Sequence, residues 1–168
     1  GGDSTVTIDV MKALLSMQQF VLLKSYGGKT IVRNIQQIIN RKYKNYTGII
    51  PCDGLYGREM NTALIQILQS LEGYSPDDAT GYFGNGTKSK LKNITGSNAS
   101  TYGNWIWLAK AALNCIGYSC VQNNNWDSSF ESNLSKFQDD YKISITKQLD
   151  INTWMALLTS KGNPDRPA

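Results

Sequence analysis

The ionisable side chains of this chain narrow the chemistry that it could carry out. Its 168 residues include no histidine. This excludes nucleophiles activated by a Ser-His or Cys-His contact and the histidine ligands of most catalytic zinc sites. A glycoside hydrolase needs no histidine, because it works with two carboxyl groups, one of them kept protonated by apolar surroundings. Carboxylate chemistry is therefore a catalytic class that the composition leaves open.

Three glutamates are available for such chemistry, and none has the sequence setting of a buried acid. Glu59 and Glu131 begin predicted helices, where the helix dipole favours an ionised carboxylate. Glu72 precedes the break at Gly73 and is predicted to be exposed. We therefore expect a non-catalytic chain without a cofactor or metal, and a glycoside hydrolase in its own right is the enzymatic alternative.

The cysteines do not have the paired short spacings of a zinc site. Cys115 and Cys120 could close a small loop around Gly117 in an oxidising compartment, which would leave Cys52 unpaired. The sequence leaves two alternatives open, this disulfide or free thiols.

Charge and hydropathy limit the partners. The net charge is +4, and the Lys and Arg residues are scattered, so an anionic partner is allowed but not required. The nearest approach to a basic face with aromatics is Arg41–Lys44, and no nucleic-acid partner is expected. No apolar stretch is long enough to span a membrane. The polar composition is typical of secreted modules, and the N-terminal sequence suggests a piece of a longer protein.

Two turn sequences of the same type precede predicted helices. The first contains Asp53-Gly54 and Gly57, and the second contains Gly81 and Gly84. Glycine can take a positive φ, and an Asp side chain can accept a hydrogen bond from the backbone just beyond itself. We expect these five residues to serve the turns rather than a ligand.

Apolar residues at helical spacing predict an all-α fold. The predicted helices are an N-terminal one through Val6–Val21, one from Thr30 to about Asn40, one over Glu59–Leu71, a short one ending near Ile94, one over Trp105–Ile116, one starting at Ser128 with a capping box to Glu131, and one capped by Asp150.

The chain also divides into similar halves. Gly96–Ser100 is small and polar and is predicted to be a linker. Ile39-Asn40 corresponds to Leu113-Asn114, and Leu68-Gln69 corresponds to Phe137-Gln138. The predicted units are residues 1–26, 27–96, 101–161 and 162–168.

A family resemblance rests on several short motifs of the first half. They are Val32-Arg33, Ile35-Gln36, Ile39-Asn40, Asp53-Gly54, Tyr56-Gly57, Asn61-Thr62-Ala63-Leu64, Leu68-Gln69 and Gly81-Tyr82-Phe83-Gly84 with Thr87. Through them residues 30–94 resemble the peptidoglycan-binding-like family of three-helix domains found in bacterial wall hydrolases. Residues 104–160 resemble it more loosely, with Asn123-Asn124 in place of Asp-Gly. The C-terminal residues resemble a linker that leads into a glycoside-hydrolase-like barrel in some Gram-positive wall proteins.

The resemblance implies two tandem three-helix modules, preceded by a helix from an upstream module. It implies a secreted, monomeric, wall-associated region that binds peptidoglycan or another wall polymer and targets an attached hydrolase-like domain. The alternative is a structural spacer without a ligand.

A receptor for sugar rings, amides and carboxylates needs amide side chains, a flat aromatic surface and a cation. Arg58 is the sharpest candidate, because a cation at the head of a helix gains nothing from the helix dipole. Its alternative role is an ordinary solvated charge, and Gln69 could instead brace a helix against a loop. The predicted ligand-binding set is Tyr56, Arg58, Asn61, Gln69, Tyr82 and Asn85.

Overall fold

The structure is a computed structural model that describes residues 28–159. Its elements are α1 (Thr30–Lys42), α2 (Lys44–Thr47), α3 (Arg58–Leu71), α4 (Asn85–Ser89), a 3₁₀ helix (Ala99–Tyr102), α5 (Gly103–Ile116), α6 (Ser128–Asp140) and α7 (Ile151–Thr159). The predicted all-α class is confirmed. Strand-like pairing within the described range is one antiparallel bridge, Ile94 with Leu149. The predicted N-terminal helix and the linker at 162–168 lie outside the described residues.

The helices form where their apolar stripes predict them. In α3, Leu64, Ile67 and Leu68 are fully buried at positions i, i+3 and i+4. In α1, Ile35 and Ile39 form the corresponding stripe. Such a stripe faces the core and leaves polar residues on the opposite face. The short helix α2 directly follows α1 and has no counterpart among the predicted helices.

Helix α5 is the centre of the fold. Every residue from Trp105 to Cys115 is buried, as expected for a helix surrounded by other elements. It packs against α1 and α3 from the first half and against α6 and α7 from the second. The buried apolar residues of both halves consequently form one continuous cluster.

The predicted linker is an ordered turn between the halves. Thr95 N donates to Asn98 Oδ1 at 2.8 Å, and Asn98 Nδ2 donates to Asn93 O at 3.1 Å. Just before it, the backbone amides of Ile94 and Leu149 each donate to the other's carbonyl, at 2.9 and 2.8 Å. The stretch therefore joins two halves that are paired and packed on each other. The predicted division into domains stays a prediction.

The first turn is held by a buried glutamine. Gln36 Oε1 accepts from Gly54 N at 2.8 Å, and Gln36 Nε2 donates to Asp53 Oδ1 at 3.0 Å. The same Oδ1 accepts from Leu55 N at 3.0 Å. Gly54 has φ +74°, and a Cβ there would lie 2.8 Å from the backbone of Lys29. This turn thus requires both the carboxylate and the glycine.

The second turn repeats this arrangement. Gln69 Oε1 accepts from Gly81 N at 2.9 Å. Gln69 Nε2 donates to Tyr82 O at 3.1 Å and to Thr87 Oγ1 at 3.0 Å. One buried side chain thereby ties α3 to the turn and to α4.

The second half contains the counterpart of the Gln69 arrangement. Gln138 Oε1 accepts from Lys147 N at 3.0 Å, and Nε2 donates to Gln148 O at 3.1 Å and Thr153 Oγ1 at 2.9 Å. Lys147 has φ +57°, in the left-handed region that glycine occupies in the first half. Gln138 thus makes in the second half the same kinds of contact that Gln69 makes in the first.

The other turn of the second half is held by a lysine. Asn123 Oδ1 accepts from Asn125 N at 3.0 Å, as Asp53 does for its own turn. Lys110, which is only 1 % exposed, donates to Asn123 Oδ1 at 2.6 Å and lies 3.4 Å from Asp127 Oδ2. The hydrogen bond from Phe130 N and the Lys110 charge hold the pKa of Asp127 below its usual value.

The N-cap of α6 differs from the predicted one. Asp127 Oδ1 accepts from Phe130 N at 2.8 Å, so Asp127 is the cap and Ser128 is the first helical residue. Glu131 does not return to the helix start, because its carboxylate accepts from Trp126 Nε1. At α7, Asp150 Oδ1 accepts from Thr153 N at 2.9 Å, which confirms the predicted cap.

The cysteines are free thiols, so the disulfide alternative for Cys115 and Cys120 is not formed in this structure. Cys115 is buried on the inner face of α5. The neighbouring loop is held instead by Asn114, whose Oδ1 accepts from Cys120 N at 2.8 Å and whose Nδ2 donates to Cys120 O at 3.1 Å. An amide side chain therefore closes the loop that the disulfide alternative would have closed.

Replacing Gln138 by alanine is expected to lower the free energy of unfolding by about 1–3 kcal/mol, because the backbone of the 146–148 turn loses its buried partners. Urea unfolding followed by circular dichroism measures this. The matched control is Gln37→Ala on the half-buried side of α1, which should change the stability by less than about 0.5 kcal/mol. Equal unfolding midpoints for the two variants would contradict the bracing role.

Candidate ligand-binding groove

Two shallow depressions meet at Lys88, and together we call them the inter-half groove. The smaller, of about 330 Å³, is lined by Tyr82, Phe83, Gly84, Asn85, Lys88 and Met155. The larger, of about 640 Å³, is lined by Lys88, Asn93, Ser144, Thr146, Gln148, Asp150, Ile151 and Asn152. These volumes lie in the range of small-ligand sites.

Helix α7 forms the floor that connects the two depressions. Ile151 and Asn152 line the larger one, and Met155 lines the smaller. Residues three and four positions apart share one face of a helix, so these side chains follow one edge of α7. Lys88 of α4 borders both depressions from the opposite half. The groove is therefore built jointly by the two halves of the chain.

The groove presents an aromatic ring, amides and a cation. Tyr82 is 74 % exposed. The side chains of Asn85, Asn93 and Asn152 are exposed, and so is that of Lys88. These groups can stack on a sugar ring, bond peptide amides and attract a carboxylate.

The carboxylate of Asp150, which lines the groove, is already hydrogen-bonded within the protein. Its Oδ1 accepts from Thr153 N and Oγ1 at 2.9 and 2.7 Å, and its Oδ2 accepts from Thr146 Oγ1 at 2.8 Å. Its acceptor capacity is therefore largely used by the start of α7. Lys88 is the cation of this lining set, and it is not a member of either ion pair formed within residues 28–159, Lys110–Asp127 and Lys136–Asp140.

The predicted ligand-binding residues separate into two surfaces and an interior. Tyr82 and Asn85 lie together in the groove. Arg58 lines a different pocket of about 420 Å³ beside Pro51 and Leu55. This pocket shares no lining residue with the groove, so the structure does not bring Arg58 to the same site as Tyr82.

The other three predicted contacts belong to the interior. Asn61 is 1 % exposed, and its Nδ2 donates to Tyr56 Oη at 3.1 Å and to Leu158 O at 2.8 Å. The side-chain amide of Gln69 is hydrogen-bonded to its turn and to Thr87, as described above. The polar atoms of Tyr56, Asn61 and Gln69 therefore stabilise the fold instead of facing a ligand.

Sequence reasoning missed Lys88, Asn93 and Asn152. One available signal was the i, i+3 spacing of Asn85 and Lys88, which places both on one face of α4. The two residues Asn93 and Asn152 are joined to the site only by packing of the halves, which no local pattern reports.

The carboxyl group of Glu72 is buried, whereas the sequence predicts an exposed side chain. Both of its carboxyl oxygens are buried without a hydrogen-bond partner among residues 28–159. Burial raises the pKa of the Glu72 carboxyl to about 8, and the nearby charges of Lys90 and Lys92 oppose this rise. A glycosidase needs a second carboxylate beside such an acid, and the charges acting on Glu72 within the described chain are lysines.

Residues 28–159 lack two further kinds of functional feature. They contain no group of three or more His, Cys, Asp or Glu side chains placed to hold a metal ion. Their helices include none with the length and apolar character of a membrane span.

Comparison with known proteins gives a family and two bacterial relatives. The family whose model matches residues 25–158 is described as "FadG/YbfG, PGDB-like domain", a peptidoglycan-binding-like family. The chain is 40 % identical over 170 residues to "Uncharacterized protein YbfG" of Bacillus subtilis (strain 168), covering 99 % of this chain and 22 % of that protein. It is 36 % identical over 166 residues to "Uncharacterized protein FadG" of the same organism, covering 98 % and 28 %. No solved structure matches.

The raised pKa of Glu72 predicts a pH-dependent stability. The protonated form is favoured in the fold, so the contribution of Glu72 is full below its ordinary pKa of 4.5 and is lost as the pH rises to about 8. We expect Glu72→Gln to reduce the fall in the free energy of unfolding across this window. Urea titrations at several pH values measure it, with exposed Glu59→Gln as the control. A Glu72→Gln profile that parallels the parent would contradict the assignment.

Proposed function

Because this chain belongs to the FadG/YbfG family of PGDB-like domains, we propose that it binds peptidoglycan through the inter-half groove and has no catalytic activity of its own. The groove offers the chemistry that such a polymer requires. Tyr82 supplies an aromatic face, Asn85 supplies an amide, and Lys88 supplies a cation.

The observation that carries the proposal is the exposure of Tyr82. A large ring that is 74 % exposed buries little apolar area in the free protein. Its backbone is nevertheless fixed, because Gln69 holds Tyr82 O at 3.1 Å. A ring on a fixed turn beside amides is a preorganised platform for a sugar face. A spacer without a ligand would gain nothing from such a platform.

The proposal extends to a longer protein. This chain spans between a fifth and a third of the length of the two relatives, at 22 % and 28 %. We infer that it acts outside the cell and holds an attached wall-hydrolase-like domain at the wall. Support comes from the family and from the size of these relatives.

A structural spacer is the second candidate function. One observation favours it, since the interior positions of Asn61 and Gln69 remove polar groups that a binding site would use. The two candidates differ in one measurable property, which is affinity for the wall polymer.

We expect Tyr82→Ala to weaken co-sedimentation with purified peptidoglycan about tenfold, equivalent to about 1.4 kcal/mol, because the sugar loses its stacking surface. The variant should fold, since the ring makes little contact with the core. Val121→Ala is the matched control, because Val121 is 71 % exposed and lines neither depression.

Two results would count against this site. Undiminished sedimentation of Tyr82→Ala, together with a loss on Arg58→Ala, would move the site to the pocket beside Pro51. No sedimentation by the parent chain would favour the spacer.

The parent chain is also expected to release no dye from labelled cell walls, because Glu72 lacks a partner carboxylate within the described residues. Dye release measured over a day with equal amounts of parent and Glu72→Gln tests this. Release by the parent that disappears in Glu72→Gln would show a glycoside hydrolase instead.

A further inference from the structure

Lys88 is the residue at which the two depressions join, and it belongs to both. We propose that Lys88 binds a free carboxylate of the peptidoglycan stem peptide, within a groove that the second half completes through Gln148 and Asn152. The inference rests on the proposed function and names the part of the polymer that the groove recognises.

The cation is distinguished from its neighbours by its surroundings. Lys90, two residues further on, lies over the ring of Tyr74 with Nζ 4.1 Å from the ring centre. Lys90 and Lys92 both act on the buried Glu72. Lys88 instead faces the groove, where the charge of Asp150 is held by three hydrogen bonds. A carboxylate of the ligand therefore meets the ammonium group of Lys88, while the acceptor sites of Asp150 are already used within the protein.

The order of these groups along the groove suits a branched polymer. Tyr82 lies in the smaller depression, and Asn152 lies in the larger, with Lys88 shared by both. A sugar on Tyr82 would place its peptide branch along α7, past Lys88 and toward the amides of Asn152 and Gln148. Amide side chains match peptide groups because each offers both a donor and an acceptor.

The second-half wall of the groove is fixed relative to the first half. The bridge between Ile94 and Leu149 lies directly beside Gln148 in sequence. Trp154 Nε1 donates to Lys92 O at 3.1 Å, which ties α7 to the segment that follows α4. The wall is therefore preformed, and ordering it upon binding costs little.

The experiment compares peptidoglycan freed of teichoic acid with the same material after its carboxyl groups have been converted to amides. Binding of the parent is expected to weaken about tenfold on amidation, because a charge-assisted hydrogen bond is lost. Lys88→Ala should bind the untreated polymer about as weakly, and amidation should then have no further effect. Lys88→Arg should retain the preference for free carboxylates, and exposed Lys44→Ala is the control.

A separate variant tests how the second half contributes to binding. Asn152→Ala should weaken binding of both polymer forms several-fold while keeping the preference between them. Parent binding with equal affinity for both forms, unaltered binding by Lys88→Ala, or loss of binding when teichoic acid is removed would each overturn the inference. The first two outcomes would leave wall binding itself intact, whereas no binding by the parent to any wall preparation would overturn both proposals.

Discussion

The interaction on which the rest of this structure depends is the buried side-chain amide that bonds a turn. The backbone N–H and C=O groups of the turns bonded by Gln36, Gln69 and Gln138 have no neighbouring strand to pair with, and they still need hydrogen-bond partners. Gln36, Gln69 and Gln138 each accept from a turn amide through Oε1 and donate through Nε2. One helix position thereby fixes a whole turn. The turns that carry Tyr82 and Gln148 owe their positions to this bond, so the groove does too.

The two halves of the chain hold their turns by similar contacts. In the first turn of the second half, Lys110 stands four residues before Asn114, as Gln36 stands before Asn40. Its ammonium group bonds Asn123, so the turn keeps its shape without Asp-Gly. The groove uses the other turn of that half, which Gln138 holds in the same way as Gln69 holds its counterpart.

Local patterns were sufficient for the longer helices and insufficient for the site. The spacing of apolar residues identified α1, α3, α5 and α7, because all the residues of a buried stripe lie within one short segment of the sequence. The role of Asn61 depends on Leu158, 97 residues away. Burial of Glu72 and continuity of the core likewise arise from packing between segments distant in sequence. Tyr82 and Asn85 share one turn and helix start and line the same depression, whereas the residues across the groove could not be found from local patterns.

The positions of Lys88 and Arg58 on their helices separate two reasons for a surface cation. Lys88 lies in the last turn of α4, where a cation is favoured by about 0.3–1 kcal/mol through the helix dipole. That benefit accounts for a lysine there but not for the convergence of Tyr82 and the second-half amides around it. Arg58 opens α3, where the dipole opposes a cation, yet its pocket is built by the first half alone. Convergence of different chemical groups from separate elements is the stronger indication of a ligand, and it favours Lys88.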